Sequence, residues 1–564
     1  MSNTKKKTTN FLLQGSILAF AGILVRVIGL IYRVPLTNII GDTANGYYGS
    51  AFDIYSILLL ISSQSMPIAV SKLVSAKLAI KDNKNAHRIF IGALVYSIVV
   101  GLIVGLFAFF GADFLAGTLF KSRGAIKAVR ILGITVFFVC IMGVFRGYFQ
   151  GMGDIGPTAV SQVFEQIVNA IVSVAAAYYL YNYGMSLAYS TRKQQLFNAE
   201  SWGAAGGTLG TCLGAFAAFV ILIGIYQKRK KSIKSDILEN GNHDIESYRT
   251  ITKVIFFTIT PILLSTTVYQ IGNLLDNAIF GQVQVNLFGF DEVVKNRIWG
   301  IYSGKYKLLT TMPIAIASAL TLSMVPTIVK SYTLNEIDQV KNKINGALRF
   351  TMIITVPCGI GLSLLGGPIC VLLFPSTGNR ATTTLVMMFS IFTVAAFSLS
   401  TITNSVLQGI DKLKVPIYNS AISLFVHLIF ITVLLIPFKL GIFGVVIGDF
   451  TFAMMVCFLN ARALKKYLGY TQDVVDTFVK PLGSGIIMGA VSYIVFLGTK
   501  ILLENVGLDN YVIRNDISVI LAILVAIPVY FIVLIKIKGI DEAVLLGIPK
   551  GEIIVRLCKK LHLL

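Results

Sequence analysis

Runs of roughly 20 apolar residues recur along the whole chain, each long enough to cross a bilayer's hydrocarbon core as a helix. Only helices and closed barrels can span lipid, because every backbone polar group must be satisfied within the structure. These runs are far longer than barrel strands and do not alternate, so helices are expected. The chain has 564 residues, of which 55% are hydrophobic and 13% charged. A water-soluble domain carries about 25% charged residues, so most of this chain must have the bilayer as its solvent. The expected passes are 12–40, 47–76, 89–112, 131–151, 158–182, 203–226, 254–281, 300–329, 350–374, 383–409, 415–437, 441–464, 481–503 and 517–535. The fold class is therefore an all-α integral membrane protein with about 14 transmembrane helices.

The formal charge of +22 would suggest nucleic acid in a soluble protein. Here the basic residues cluster between apolar runs, as the positive-inside rule requires, so no nucleic-acid partner is expected. With the N-terminus inside, roughly two thirds of the 48 lysines and arginines fall on the inner side. That bias places both termini and the polar stretch 227–253 in the cytoplasm of a multi-pass protein of the cell membrane. The basic N-terminus has no small-residue cleavage site after it, so the first apolar run is expected to be a span, not a signal peptide.

The two halves look related. Met66-Pro67-Ile68-Ala69 in the second span matches Met312-Pro313-Ile314-Ala315 in the eighth. Gln150-Gly151 followed by Pro157 matches Gln408-Gly409 followed by Pro416. Gly203, Gly206 and Gly210 share their spacing with Gly441, Gly444 and Gly448. Six spans is an even number, so the halves share one topology, a parallel repeat. The expected organisation is an N-terminal lobe over 1–226, a basic linker over 227–253, a C-terminal lobe over 254–464, and two extra spans with a basic tail over 465–564. The glycines are read as allowing close helix packing.

No nucleotide-binding or hydrolase motif is present: there is no GxxxxGK[ST], GxSxG or HExxH, so the expectation is a transporter and not an enzyme. The six cysteines form no CxxC pair and the four histidines are scattered, which indicates neither a disulfide framework nor a metal site. No cofactor is expected.

The informative residues are charges within spans, since burying one is costly. Arg26 falls near the middle of the first span. Arg33 lies seven residues on, hence two turns further along the same face, with Pro35 interrupting the helix. Lys305 and Lys307 open span eight, and Arg146 lies near the inner end of span four. These five are the candidate substrate-binding cations. The bland alternatives are ion pairs with Asp53, Glu165 or Asp276, interfacial anchoring of the lysines, and a helix-end role for Arg146. Glu165 and Asp276, with Asp449, either neutralise the arginines or carry a coupling proton or sodium ion.

The stretches VRVIGLIYRVPLTNIIG (25–41), MPIAVSKLVSAK (66–77), RGYFQGMGDIGPTAVSQVFEQIVN (146–169) and LQGIDK (407–412) resemble one family. They are similar to the stage V sporulation protein B/YtgP group of polysaccharide biosynthesis proteins. These are relatives of the MurJ lipid II flippases in the multidrug/oligosaccharidyl-lipid/polysaccharide (MOP) exporter superfamily. The resemblance places Arg26 on that family's cavity arginine; the second falls at Tyr32 in an ungapped match, with Arg33 one residue later. The family's span-eight cation falls at Lys305 or Lys307. It implies two six-helix lobes around a central cavity, with spans thirteen and fourteen forming a groove for a polyprenyl tail. The implied function is a flippase for lipid II or a related polyprenyl-diphosphate-linked saccharide, coupled to membrane potential or to a proton or sodium gradient. The implied protein is a monomer whose partners are its substrate and membrane lipids. A diphosphate headgroup needs cationic partners in a low-dielectric cavity, which the arginines supply. A cation-coupled multidrug exporter of the same fold would want unpaired acids there instead. A non-transporting scaffold for sporulation or envelope assembly, and a glycosyltransferase, are the remaining alternatives.

Overall fold

The computed structural model describes residues 2–238, 244–540, Val555, Arg556 and Lys559. Cys558, His243, His562 and most of the basic tail lie outside the described residues. Sixteen α-helices run through the described residues, with no strand among them. Eleven stretches of described residues are long and apolar enough to cross a membrane. This is a multi-pass membrane protein.

The first helix, α1 (Ser2–Leu59), is two arms joined at Gly41, whose φ of 77° and ψ of 178° interrupt the helical path. Sixteen residues of continuous helix would separate Tyr32 and Tyr48 by about 24 Å. Their hydroxyls instead stand 3.4 Å apart. The chain therefore folds back at Gly41, and the arms are the first and second passes. Glycine suits this turn because a positive φ costs it no Cβ clash. A π-helical turn at Leu60–Gln64 then leads into α2 (Met66–Ala79), with Pro67 in its first turn, where a missing N–H costs nothing.

The remaining helices of the first half are α3 (Asn83–Phe110), α4 (Ile126–Gly151), α5 (Gly156–Ser186) and α6 (Arg192–Leu238). A hairpin over 111–125 joins α3 to α4 and includes a π-helical turn at Asp113–Leu119. Helices α5 and α6 pack with little side-chain volume between them. A Cβ added at Gly206, Gly210 or Gly214 would run into the backbone or side chain of Ala176, Ser173 or Glu165. Small residues every fourth position let two membrane helices approach this closely.

Next come α7 (Tyr248–Gly281), a short connector helix α8 (Glu292–Ile301), and α9 (Lys307–Thr333). They are followed by α10 (Ile337–Leu373), α11 (Arg380–Met387), α12 (Ser390–Gly409), α13 (Lys414–Leu435) and α14 (Ile442–Leu468). The last two are α15 (Lys480–Asn505) and α16 (Tyr511–Lys536). Each expected pass overlaps one or more of these helices, with 47–76 falling on the second arm of α1 and α2, and 383–409 on α11 and α12. Span eight differs in form. It opens on the last residues of the connector α8 and a π-helical turn at Tyr302–Tyr306 and continues as α9, where one continuous helix from 300 is expected.

The chain forms two compact units, Met1–Gly304 and Lys305–Leu564. The first holds α1 to α8. One of its cores gathers Leu36, Tyr47, Tyr48, Phe120 and Leu132. In the second, α15 and α16 dock on α10 through Met352, Met488, Tyr530 and Leu534, and Tyr530 Oη donates to the carbonyl of Ile353 at 2.8 Å.

Candidate functional site

The first arm of α1 carries both sequence-predicted span arginines. Arg26 is exposed on that arm. Arg33, half-buried, lies 4.8 Å from the centroid of Tyr48 and 5.6 Å from that of Phe52. Both rings belong to the second arm, so the reversal at Gly41 builds this aromatic seat. A guanidinium stacked on aromatic faces keeps its planar fork and its N–H donors oriented, which suits recognition of a phosphate oxygen pair. The seat is held from behind: the Tyr32 hydroxyl accepts from Asn169 Nδ2 on α5 at 3.4 Å, and Asn169 Oδ1 accepts from Ser173 at 2.8 Å.

Arg146 and Glu165 come together. Arg146 Nη2 donates to Glu165 Oε2 at 2.7 Å and Nε donates to Ser161 Oγ at 3.0 Å. Both side chains are largely shielded, at 14% and 25% exposure. Helices α4 and α5 form an antiparallel hairpin with a short link at 152–155, which sets the two residues at similar depth. In this conformation Arg146 is therefore half of an internal ion pair.

Asp276 is buried on α7. Its neighbour Asn277 donates through Nδ2 to Asp53 Oδ2 at 2.8 Å and Ser50 Oγ at 3.1 Å. Lys305 is buried in the π-helical turn before α9 and lines a small cavity with Cys370, Thr377, Arg380 and Thr383. Lys307 is half-buried at the start of α9, and Asp449 is buried on α14. Arg26, Arg33, Arg146, Glu165 and Asp276 belong to the first unit, Lys305 and Lys307 to the second.

The second unit also contains an apolar groove of about 880 Å³ bordered by α10, α12, α14 and the start of α15. Leu348, Met352, Phe392, Met454 and Phe458 line it, and Arg462 and Lys465 stand at one end. Its size falls in the range of small-molecule sites, and its lining suits a hydrocarbon chain.

Several buried ionisable side chains have no counterpart in the sequence reading, among them Asp42, Asp82, Glu200 and Lys295. Lys295 on α8 is 1% exposed. A polar segment between two spans reads as a solvated loop, and nothing in its residue types marks this lysine as interior. Among the described residues, no group of three or more His, Cys, Asp or Glu could hold a metal ion.

The fold and these sites define an all-helical, multi-pass membrane protein with cationic and aromatic side chains set within its spans. The chain belongs to the family of polysaccharide biosynthesis proteins, whose model matches residues 12–332. It is 26% identical over 550 residues to the stage V sporulation protein B of Bacillus subtilis (strain 168), covering 96% of this chain and 98% of that one. It is 24% identical over 432 residues to the lipid II flippase MurJ of the same organism, covering 74% and 76%. Among solved structures, a lipid II flippase MurJ in an inward closed conformation superposes with a TM-score of 0.63. That match covers 92% of this chain and 97% of the other, at 16% identity, and shows a shared fold.

Proposed function

We propose that this protein moves a polyprenyl-diphosphate-linked saccharide, of the lipid II class, across the cytoplasmic membrane by alternating access. The observation that carries this reading is the pair Arg26 and Arg33 on one arm of a membrane helix, with Arg33 seated on Tyr48 and Phe52. An intramembrane arginine is expensive, and a diphosphate is the kind of ligand that repays two of them. The name of one relative, a lipid II flippase, supports the same substrate class. Lys305 or Lys307 adds a further cation, and Arg146 joins when its pair with Glu165 opens. The hydrocarbon tail stays in lipid or in the apolar groove, so only the headgroup crosses. Both termini face the cytoplasm, where the basic segments stay. The driving force is an ion gradient or the membrane potential, with no nucleotide site involved.

Rescue of a strain depleted of its lipid II flippase tests the substrate class. Growth restored by the wild-type chain and not by Arg26→Ala supports it. No rescue by a chain shown to be inserted in the membrane contradicts it.

A further inference from the structure

The apolar groove of the second unit is built wholly from residues between Leu348 and Leu482. Each wall is one face of a helix. Leu348, Met352 and Val356 recur every fourth residue on α10, so they stand in one row along it. On α14 the lining runs from Phe450 to Lys465, and Phe478 and Leu482 border the groove at the start of α15.

Its dimensions are those of lipid chains. From Phe450 to Ala461 every lining residue of α14 is apolar, and this stretch rises about 16 Å. One leaflet of a hydrocarbon core about 30 Å thick is about 15 Å deep. A methylene takes about the space of a water molecule, roughly 30 Å³, so 880 Å³ accommodates about 30 of them. An extended chain advances about 1.2 Å per bond, so one chain of that depth uses only about 13. The groove thus has the depth of one leaflet and the cross-section of two chains side by side.

The end at Arg462 and Lys465 is the one that the charge bias assigns to the inside. Both side chains are exposed, and neither forms an ion pair among the described residues. The guanidinium of Arg462 lies 5.4 Å from the centroid of Phe458, so it stands over the groove's own lining. The acids of the following segment are engaged elsewhere. Asp476 pairs with Lys480 and, at 4.0 Å, with Arg349, and Asp473 accepts from the backbone N–H of Asp476 at 3.1 Å. The connector at this end is held in place, since Tyr470 Oη donates to Gln472 Oε1 at 3.0 Å and Gln472 Nε2 donates to Thr477 Oγ1 at 3.0 Å. An apolar groove that ends in two such cations is complementary to hydrocarbon chains carrying a negatively charged phosphate group.

We propose that this groove holds a resident diacyl phospholipid of net negative charge, drawn from the inner leaflet, with its phosphate between Arg462 and Lys465 and its two chains along α10, α12 and α14. The chains supply the packing contacts between α14 and the start of α15 that side chains on opposite banks of a groove do not make with each other. The inference goes beyond the transport reading and does not rest on it. The resident lipid stays bound while a substrate crosses, and the substrate's own tail stays in the bilayer.

The test mixes the full chain, purified in detergent, with phosphatidylglycerol, with phosphatidylcholine of the same chains, with a polyprenyl monophosphate, or with inorganic phosphate. Native mass spectrometry counts what stays bound, and thermal unfolding is followed in parallel. The expected wild-type result is one phosphatidylglycerol per chain, held more tightly than phosphatidylcholine, with a higher unfolding midpoint in its presence. Arg462→Ala and Lys465→Ala, both at exposed positions, should each weaken phosphatidylglycerol about fivefold, the worth of one cation facing an anionic lipid. Ala395→Trp, which places an indole in the groove and leaves both cations, should remove the one-to-one complex. Equal retention of the two phospholipids, cation variants that bind like wild type, or an unchanged complex in Ala395→Trp would overturn the proposal. So would tighter binding of the polyprenyl monophosphate, or displacement of phosphatidylglycerol by inorganic phosphate. A chain that binds no phosphatidylglycerol yet translocates a polyprenyl-diphosphate lipid would refute the resident lipid and leave the transport reading standing.

Discussion

Removing Glu165 should destabilise the protein through Arg146, and removing both charges together should undo most of the damage. In the structure the guanidinium makes a 2.7 Å bond to Glu165 and a 3.0 Å bond to Ser161. Breaking a buried pair by deleting one partner costs about 3–5 kcal/mol, because the remaining charge is left uncompensated. The carboxylate is 25% exposed and the guanidinium 14%, so water recovers part of that loss. About 2–3 kcal/mol is the expected cost of Glu165→Leu, and a similar cost follows for Arg146→Met. The double variant, with an apolar pair of similar volume, should lie within about 1 kcal/mol of wild type. The resulting coupling energy is about 3 kcal/mol or more. Unfolding of the purified protein in detergent, followed through a complete double-mutant cycle, measures it. Additive single-variant effects, or a Glu165→Leu variant as stable as wild type, would refute the pairing argument. Transport by the same set is informative too. If Arg146 serves substrate in another conformation, the double variant stays inactive although its stability returns.

Other perturbations have defined outcomes. Arg33→Lys should lower transport more than it lowers stability, since lysine keeps the charge but loses the bidentate fork, and a translocation assay on matched amounts of protein reads this. Tyr48→Leu should impair transport in the same direction by removing the nearer face of the seat, 4.8 Å from Arg33; unchanged transport would show that the seat is idle. Gly206→Leu should prevent α5 and α6 from packing and lower the unfolding midpoint or the folded yield, because its Cβ already meets the Ala176 backbone. Single cysteines at Ser232 and Asn3 should be shielded from a membrane-impermeant thiol reagent in intact cells; labelling at both would reverse the assigned orientation.

The helical passes were legible because each needs one long apolar run, and nothing local competes with that signal. The reversal at Gly41 follows from the expected ends of the first two spans, which leave only a few residues for a turn. Why the arms close on each other is not legible, because it depends on Tyr32 meeting Tyr48 and on Arg33 finding its rings. Arg146 and Glu165 were both singled out as span charges, yet the sequence offered Glu165 to Arg26 or Arg33. Depth along neighbouring helices decides the partner, and that needs the packed α4–α5 hairpin. Lys295 escaped notice for the opposite reason. A polar connector counts as an outer loop by composition, and only the hairpin and α7 folding over it make it interior. Small residues carried more information: the Gly206 and Gly210 spacing marked a helix seam that the structure contains.

The central claim is that the first-arm arginines carry a diphosphate headgroup across the membrane. Its most direct measurement uses proteoliposomes holding the purified chain and a labelled polyprenyl-diphosphate-linked saccharide. Headgroup crossing is followed by a reagent that reaches only the outer leaflet. The wild-type chain should translocate the lipid, and Arg26→Ala and Arg33→Ala, incorporated to the same level, should each be slower by about tenfold or more, the loss of roughly one charge-assisted contact. Variants that translocate at the wild-type rate, or a wild-type chain that leaves the lipid on its original side, would contradict the account.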